Sequence, residues 1–193
     1  MTKPKILVFA GSVRSGSINQ KLATLVARMI PGAGGEASHL SLRDYPLPLY
    51  DGDLQAREGV PEAARKLVDL FLEHQGVFVA SPEYNSSFTP LLKNTFDWMS
   101  RINIEGHPPL PAFKSKVFAL GAVSNGAMGG YRGLTQLRSM MELGLGAMVQ
   151  PEMAAVGNFA QAFNPDGALA NPRTADFLAD VVAKLVENAK RFA

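Results

Sequence analysis

The stretch Ile6-Leu-Val-Phe-Ala10, running into Gly11-Ser-Val-Arg-Ser-Gly-Ser-Ile-Asn19, decides how the rest of the chain is read. Its first five residues are continuously apolar rather than alternating. A short unbroken apolar run suits a strand covered on both faces, as in a parallel sheet. The next nine residues are small, hydroxylated and glycine-containing, and Leu22, Leu25, Val26 and Met29 then recur at helical spacing. A strand, a tight polar turn and a helix make the opening unit of an α/β fold.

The same unit repeats. Gly76-Val-Phe-Val-Ala80 and Val117-Phe-Ala-Leu-Gly121 are further apolar runs, with weaker strand candidates at 37–42 and 147–149. Helical patterns separate them: Ala64, Leu67, Val68, Phe71 and Leu72; Leu92, Phe96 and Met99 behind Pro90; Leu134, Leu137 and Met141; Leu178, Val181, Val182 and Leu185. Asn171 is a cap for the last helix and Pro172 its first residue. Strict alternation predicts an open parallel sheet with helices on both faces. Residues 41–60, 102–113 and 156–172 are long, irregular connections rich in proline, glycine or polar residues, the kind that carry function in compact domains. No repeat or composition break divides the chain, so residues 1–193 are expected to form one domain.

The chain has 193 residues, 47% hydrophobic and 19% charged, with a formal net charge of +2. No lysine- or arginine-rich run marks a nucleic-acid partner. No apolar stretch reaches the roughly 20 residues of a membrane helix. The apolar part of the N-terminal region, Ile6 to Ala10, is shorter than the about 7–15 residues of a secretory core, so a cytoplasmic location is expected. Cysteine is absent, which removes disulfides, thiolate metal sites and a cysteine nucleophile. His39, His74 and His107 share no ligand spacing and read as surface residues, and no metal site is expected.

In an open α/β sheet, ligands bind beyond the carboxyl ends of the strands. After the first strand, Ser12, Arg14, Ser17 and Asn19 gather at a helix N-terminus, where free N–H groups and a forked cation suit a phosphate. A capping role explains Ser17 or Asn19 alone; it does not explain Arg14 beside three small polar residues. The turn is neither a dinucleotide fingerprint nor a P-loop, and its few glycines fit a terminal phosphomonoester better than a pyrophosphate. After the third strand, Ser81-Pro-Glu-Tyr-Asn-Ser-Ser87 offers a stiff turn, a flat ring and an amide, suited to a planar heterocycle. The plainer reading is a proline turn with Asn85 or Ser87 capping the next helix. After the fourth strand, Ser124-Asn-Gly-Ala-Met-Gly-Gly-Tyr-Arg132 is either a close-approach loop or simply a flexible one.

Taken together, Gly11-Ser12-x-Arg14-x-x-Ser17-x-Asn19, Pro82-Glu83-Tyr84-Asn85 and Ser124-x-Gly126-x-x-Gly129-Gly130 resemble the NAD(P)H-dependent FMN reductase family of flavodoxin-like proteins. Residues 46–53 and the helix beginning at Pro90 share the likeness, which extends to about Pro151. It implies a three-layer flavodoxin-like fold with five parallel strands in the order 2-1-3-4-5. It implies FMN as cofactor and NADPH or NADH as co-substrate. By position, Ser12, Arg14, Ser17 and Asn19 would hold the FMN phosphate. Pro82, Glu83, Tyr84 and Asn85 would line the ring system, and Ser124 and Gly126 would meet its other side. Asn125 stands where many relatives carry proline. No catalytic side chain is implied; the nicotinamide would stack on the flavin, deliver hydride and leave before a small-molecule acceptor binds, a ping-pong scheme. Glu83 itself reads as a solvated loop carboxylate. The acceptor would be a flavin, quinone, azo compound or metal oxyanion, and the assembly a homodimer or homotetramer. Phe88, Trp98 and Met99 are either core or an apolar oligomer surface, and Asp97 and Arg101 are spaced as a helical ion pair. The competing readings are a flavodoxin-type electron carrier without NAD(P)H turnover and a fold relative binding another phosphorylated ligand.

Overall fold

In the computed structural model, which describes residues 2–193, the five strands form one all-parallel sheet in the order β2-β1-β3-β4-β5. They are β1 (Lys5–Ala10), β2 (Glu36–Leu40), β3 (Gly76–Ala80), β4 (Val117–Val123) and β5 (Met148–Val156). The helices are α1 (Ile18–Met29), α2 (Gly52–Glu58), α3 (Glu62–Leu72), α4 (Pro90–Met99), α5 (Pro111–Lys114), α6 (Tyr131–Ser139) and α7 (Pro172–Ala189). Strand order and connectivity are those expected of a flavodoxin-like chain.

The strand alternation sorts the core into two layers. Ile6, Val8, Ala10, Phe78, Ala80 and Ala119 pack against Leu22, Val26, Val182 and Leu185 of α1 and α7. Leu7, Phe9, Val77, Val79, Phe118 and Leu120 pack against Leu67, Phe71, Phe96, Phe113 and Leu137, from α3 to α6. The three central strands are buried on both faces, which is why their sequences run apolar without a break.

Several local expectations need correction. β5 is far longer than residues 147–149; exposed and half-buried positions interrupt it and it contains Pro151, so it does not read as a continuous apolar run. α2 lies inside a segment read as irregular. None of its seven residues is fully buried and only Leu54 packs on the core, so no apolar period announces it, and Asp51 starts it by accepting the Asp53 and Leu54 N–H groups. α4 is capped by Thr89, whose hydroxyl accepts the Leu92 N–H at 3.3 Å, rather than by Asn85 or Ser87. Trp98 and Met99 belong to the core. Asp97 pairs with Lys93 at 2.7 Å, not with Arg101; the Arg101 guanidinium lies 5.0 Å from the Tyr50 ring centre. His74 is buried, not a surface residue.

Candidate functional site

The turn between β1 and α1 is braced from four directions. The Gly11 N–H donates to the Ala80 carbonyl at 2.8 Å. The Thr89 hydroxyl donates to the Gly11 carbonyl at 2.8 Å, and the Gln20 amide to the Ser12 carbonyl at 2.8 Å. Arg43, from the segment after β2, donates to the Val13 carbonyl. The turn is therefore ordered by protein contacts before any ligand arrives, which lowers the cost of binding. Gly16 adopts a φ of +69°, which a side chain would strain.

Ser17 occupies the N-cap position of α1, yet its hydroxyl makes no capping bond. Its carbonyl takes the Gln20 and Lys21 N–H groups. The first-turn N–H groups of Ile18 and Asn19 are left for a ligand, as helix starts require. Asn19 has a structural role beside the one expected. Its side-chain amide donates to the Val123 carbonyl at 3.0 Å and accepts the Val123 N–H at 2.9 Å. That side chain ties α1 to the end of β4 with its oxygen and one of its two amide hydrogens, leaving the other amide hydrogen and the backbone N–H as donors.

The turn forms one wall of a cavity of about 460 Å3 at the carboxyl edge of the sheet. Eight expected residues line it: Ser12, Arg14, Ser17, Asn19, Pro82, Glu83, Tyr84 and Ser124. Asn85 and Gly126 are not in the lining. Asn85 sits at the tip of a two-residue hairpin in which Tyr84 and Ser87 exchange backbone bonds of 2.8 and 2.9 Å. Asn85 and Ser86 both have positive φ there, 49° and 63°, as a type I′ turn needs. Met128 is exposed and also outside the lining. Lys21, Asn125 and Phe159 line the cavity and were missed as site residues. Lys21 lies one turn beyond Ser17 on α1, a position the helical spacing marks; Phe159 comes from a distant loop that nothing local connects to the site.

Glu83 is not a solvated carboxylate. Its side chain is only 8% exposed and pairs with Arg132 at 2.8 Å, while its second oxygen accepts the Gly133 N–H at 2.9 Å. Partial burial works to raise its pKa, but the Gly133 N–H and the Arg132 guanidinium outweigh it and hold the group below the usual carboxylate range. Glu83 thus fastens the loop after β3 to the first turn of α6. The loop after β4 is held just as closely: a side chain at Gly129 would meet the Val156 backbone at 2.6 Å.

A lining that joins two hydroxyls, two cations and a helix start to Pro82, Tyr84, Ser124 and Asn125 suits a phosphorylated planar ring. The comparisons with known proteins agree. The profile of the NADPH-dependent FMN reductase family matches residues 4–161. The chain belongs to that family. It is 31% identical over 159 residues to a quinone reductase of Escherichia coli K12, covering 82% of this chain and 80% of the relative. It is 30% identical over 176 residues to an NAD(P)H-dependent FMN reductase of Pseudomonas aeruginosa, covering 90% and 89%. Among solved structures, the flavoenzyme NAD(P)H:acceptor oxidoreductase FerB of Paracoccus denitrificans superposes with a TM-score of 0.77 at 27% identity, over 97% of this chain and 98% of that one.

This family member is therefore an oxidoreductase, with FMN as cofactor and NAD(P)H as co-substrate. The residues present fit that cofactor on their own chemistry. Ser12, Arg14, Ser17 and Lys21 offer donors and positive charge with no carboxylate among them, which suits a phosphate dianion. Among the described residues, no group of three or more His, Asp or Glu could hold a metal ion, and no helix is long and apolar enough to cross a membrane.

Proposed function

We propose that residues 1–193 act as one FMN-binding domain that takes reducing equivalents from NADPH or NADH and delivers them to a quinone, a free flavin, an azo compound or a metal oxyanion. The supporting observation is a single cavity whose lining combines a braced cationic turn with Pro82, Tyr84 and Phe159. FMN, when bound, supplies the ability to accept a hydride and return two electrons. Arg14, Ser12 and Ser17 hold its phosphate, with Lys21 adding charge. The Pro82–Tyr84 and Ser124–Asn125 segments orient its ring. Tyr84 is 53% exposed and Phe159 42% exposed, so aromatic surface stands beside the face on which nicotinamide and then acceptor are received. One face used in turn gives ping-pong kinetics. Glu83 is engaged with Arg132 and Gly133, so no carboxylate is assigned as an acid. The setting is cytoplasmic and the assembly a homodimer or homotetramer.

The test is anaerobic mixing of FMN-loaded protein with NADPH and with NADH, followed by steady-state turnover with a panel of acceptors. Bleaching of the flavin and parallel double-reciprocal lines are expected. Bleaching without steady turnover would leave an electron carrier instead, and no flavin retained at all would remove the reading.

A further inference from the structure

Where β3 leaves the sheet, its place beside β4 is taken by a side chain from another element. The Ser81 N–H donates to the Gly121 carbonyl at 2.8 Å. The chain then turns away at Pro82, a residue with no N–H to give. Backbone groups repeat their direction at every second residue of a strand. The N–H and carbonyl of Val123 therefore point the same way as those of Gly121, toward the side that β3 has left. Asn19 fills that side. Its Oδ1 accepts the Val123 N–H at 2.9 Å and its Nδ2 donates to the Val123 carbonyl at 3.0 Å. These are the acceptor and the donor that two further residues of β3 would have supplied. Asn19 and Val123 are both 2% exposed, so the pairing is made away from bulk water.

Val123 runs directly into Ser124 and Asn125, and all three line the flavin cavity together with Asn19. Pro82, Glu83 and Tyr84 line it from the loop after β3. Asn19 thus stands where the loops after β3 and β4 part, and it ties the second of them to the first turn of α1. On its other side that loop is held by the Ser124 N–H, which donates to the Val156 carbonyl at 3.0 Å. Held between α1 and β5, the base of the loop after β4 has little freedom to follow the loop after β3.

We propose that Asn19 is a positioning residue for the flavin ring. By standing in for β3 it sets the separation of the Pro82–Tyr84 and Ser124–Asn125 segments, and it acts on the ring through Val123, whatever contact its remaining N–H groups make with the phosphate. The proposal rests on the reading that this cavity holds FMN with its ring oriented by those segments. The side-chain chemistry sharpens the assignment. An amide on a one-carbon stem offers donor and acceptor in the geometry of a peptide group. A carboxylate there would accept the Val123 N–H but repel the carbonyl, and glutamine would carry its amide one methylene too far.

The first measurement is amide hydrogen exchange on the flavin-free full chain. The Val123 N–H is expected to be protected like the β4 amides before it; fast exchange overturns the proposal. The second is titration with FMN and with riboflavin, which lacks the phosphate, read by flavin fluorescence. Asn19→Leu leaves both Val123 groups unpaired and is expected to weaken both flavins by about tenfold. The visible absorption bands of flavin bound to it at saturation are expected to be shifted from those of the parent. Arg14→Ala is expected to weaken FMN alone and to keep the parent bands at saturation. If Asn19→Leu does not fold, Asn19→Asp takes its place, keeping the bond from the Val123 N–H and losing the other. Riboflavin is its probe, having no phosphate for the new charge to repel, and weaker binding with shifted bands is again expected. Weakened FMN with unchanged riboflavin in Asn19→Leu makes Asn19 a phosphate contact only, and parent bands at saturation in the Asn19 variants make it structural only; either result overturns the proposal. An unaltered chain that binds neither flavin while its Val123 amide stays protected would instead remove the reading of the cavity and leave the brace, which separates the two failures.

Discussion

At the carboxyl edge of the sheet, Arg14 and Lys21 stand exposed beside an open cavity. At the amino edge, Lys116 and His74 are shut away from solvent just before β4 and β3. Lys116 is 0% exposed. Its ammonium donates to the Ser115 hydroxyl at 3.0 Å and has no carboxylate within ion-pair distance among the described residues. Burial alone pulls its pKa down to about 8. His74 donates from Nδ1 to the Leu70 carbonyl at 2.7 Å, and its buried Nε2 has no partner among the described residues; burial leads the causes that lower its pKa. The larger perturbation therefore lies at the end of the sheet remote from the cavity. A shifted pKa marks desolvation first and a site only when a cavity accompanies it. The carboxyl edge works with groups that remain in contact with water beside the cavity.

The strongest way to break this contrast is Arg14→Ala. Loss of a charge-assisted bond is expected to weaken FMN binding by about 1.5–3 kcal/mol, with the melting temperature of the flavin-free protein unchanged. Equal FMN affinity in a fluorescence titration would remove Arg14 from the cradle. Lys116→Met should do the reverse, leaving FMN affinity alone and raising stability by about 1–2 kcal/mol at pH 7, because an apolar chain carries no buried charge. The sign follows from the proton balance. The unfolded lysine titrates near its ordinary value and the folded one near 8, so stability of the parent rises with pH between the two. The advantage of the Lys116→Met variant over the parent should be complete below pH 8 and fade toward pH 10.5; melting curves across that range decide it.

Glu83→Gln is expected to cost about 1 kcal/mol, since one neutral bond replaces charge-assisted ones to Arg132 and Gly133. The depressed pKa of Glu83 gives stability that is present at neutral pH and lost as pH falls through the folded value. The variant should flatten that acid limb of the stability profile; an unchanged limb would mean the clamp between the two loops is not made. The smallest effect is at Ser86. Its positive φ disfavours a side chain, so Ser86→Gly should stabilise by about 0.5 kcal/mol, and a lowered melting temperature would contradict the type I′ turn.

Residues adjacent in the chain were legible and residues joined through space were not. β1, β3 and β4 showed themselves because strands buried on both faces must be apolar throughout. The last helix was marked at its first residues by Asn171, whose side chain accepts the Thr174 N–H at 3.2 Å, and by Pro172. The turn after β1 was legible as a polar, cation-bearing helix start because its hydroxyls, arginine and helix N-terminus lie within nine consecutive residues. The brace made by Asn19 was not legible, since its residue type fits both a ligand contact and a brace, and only the approach of Val123 shows the second. Lys116 and His74 gave no sign of burial, because nothing in their neighbours' types announces it.

The apolar runs and their alternation with helices determined the layers of this protein, and the small polar residues after β1 determined which turn is proposed to hold a phosphate. Only the packed structure decided that Asn19 serves β4, that Glu83 joins two loops and that Phe159 reaches the cavity. Periodicity is a property of neighbours along the chain, whereas a partner 104 or 49 positions away is chosen by how the strands pair and the helices pack.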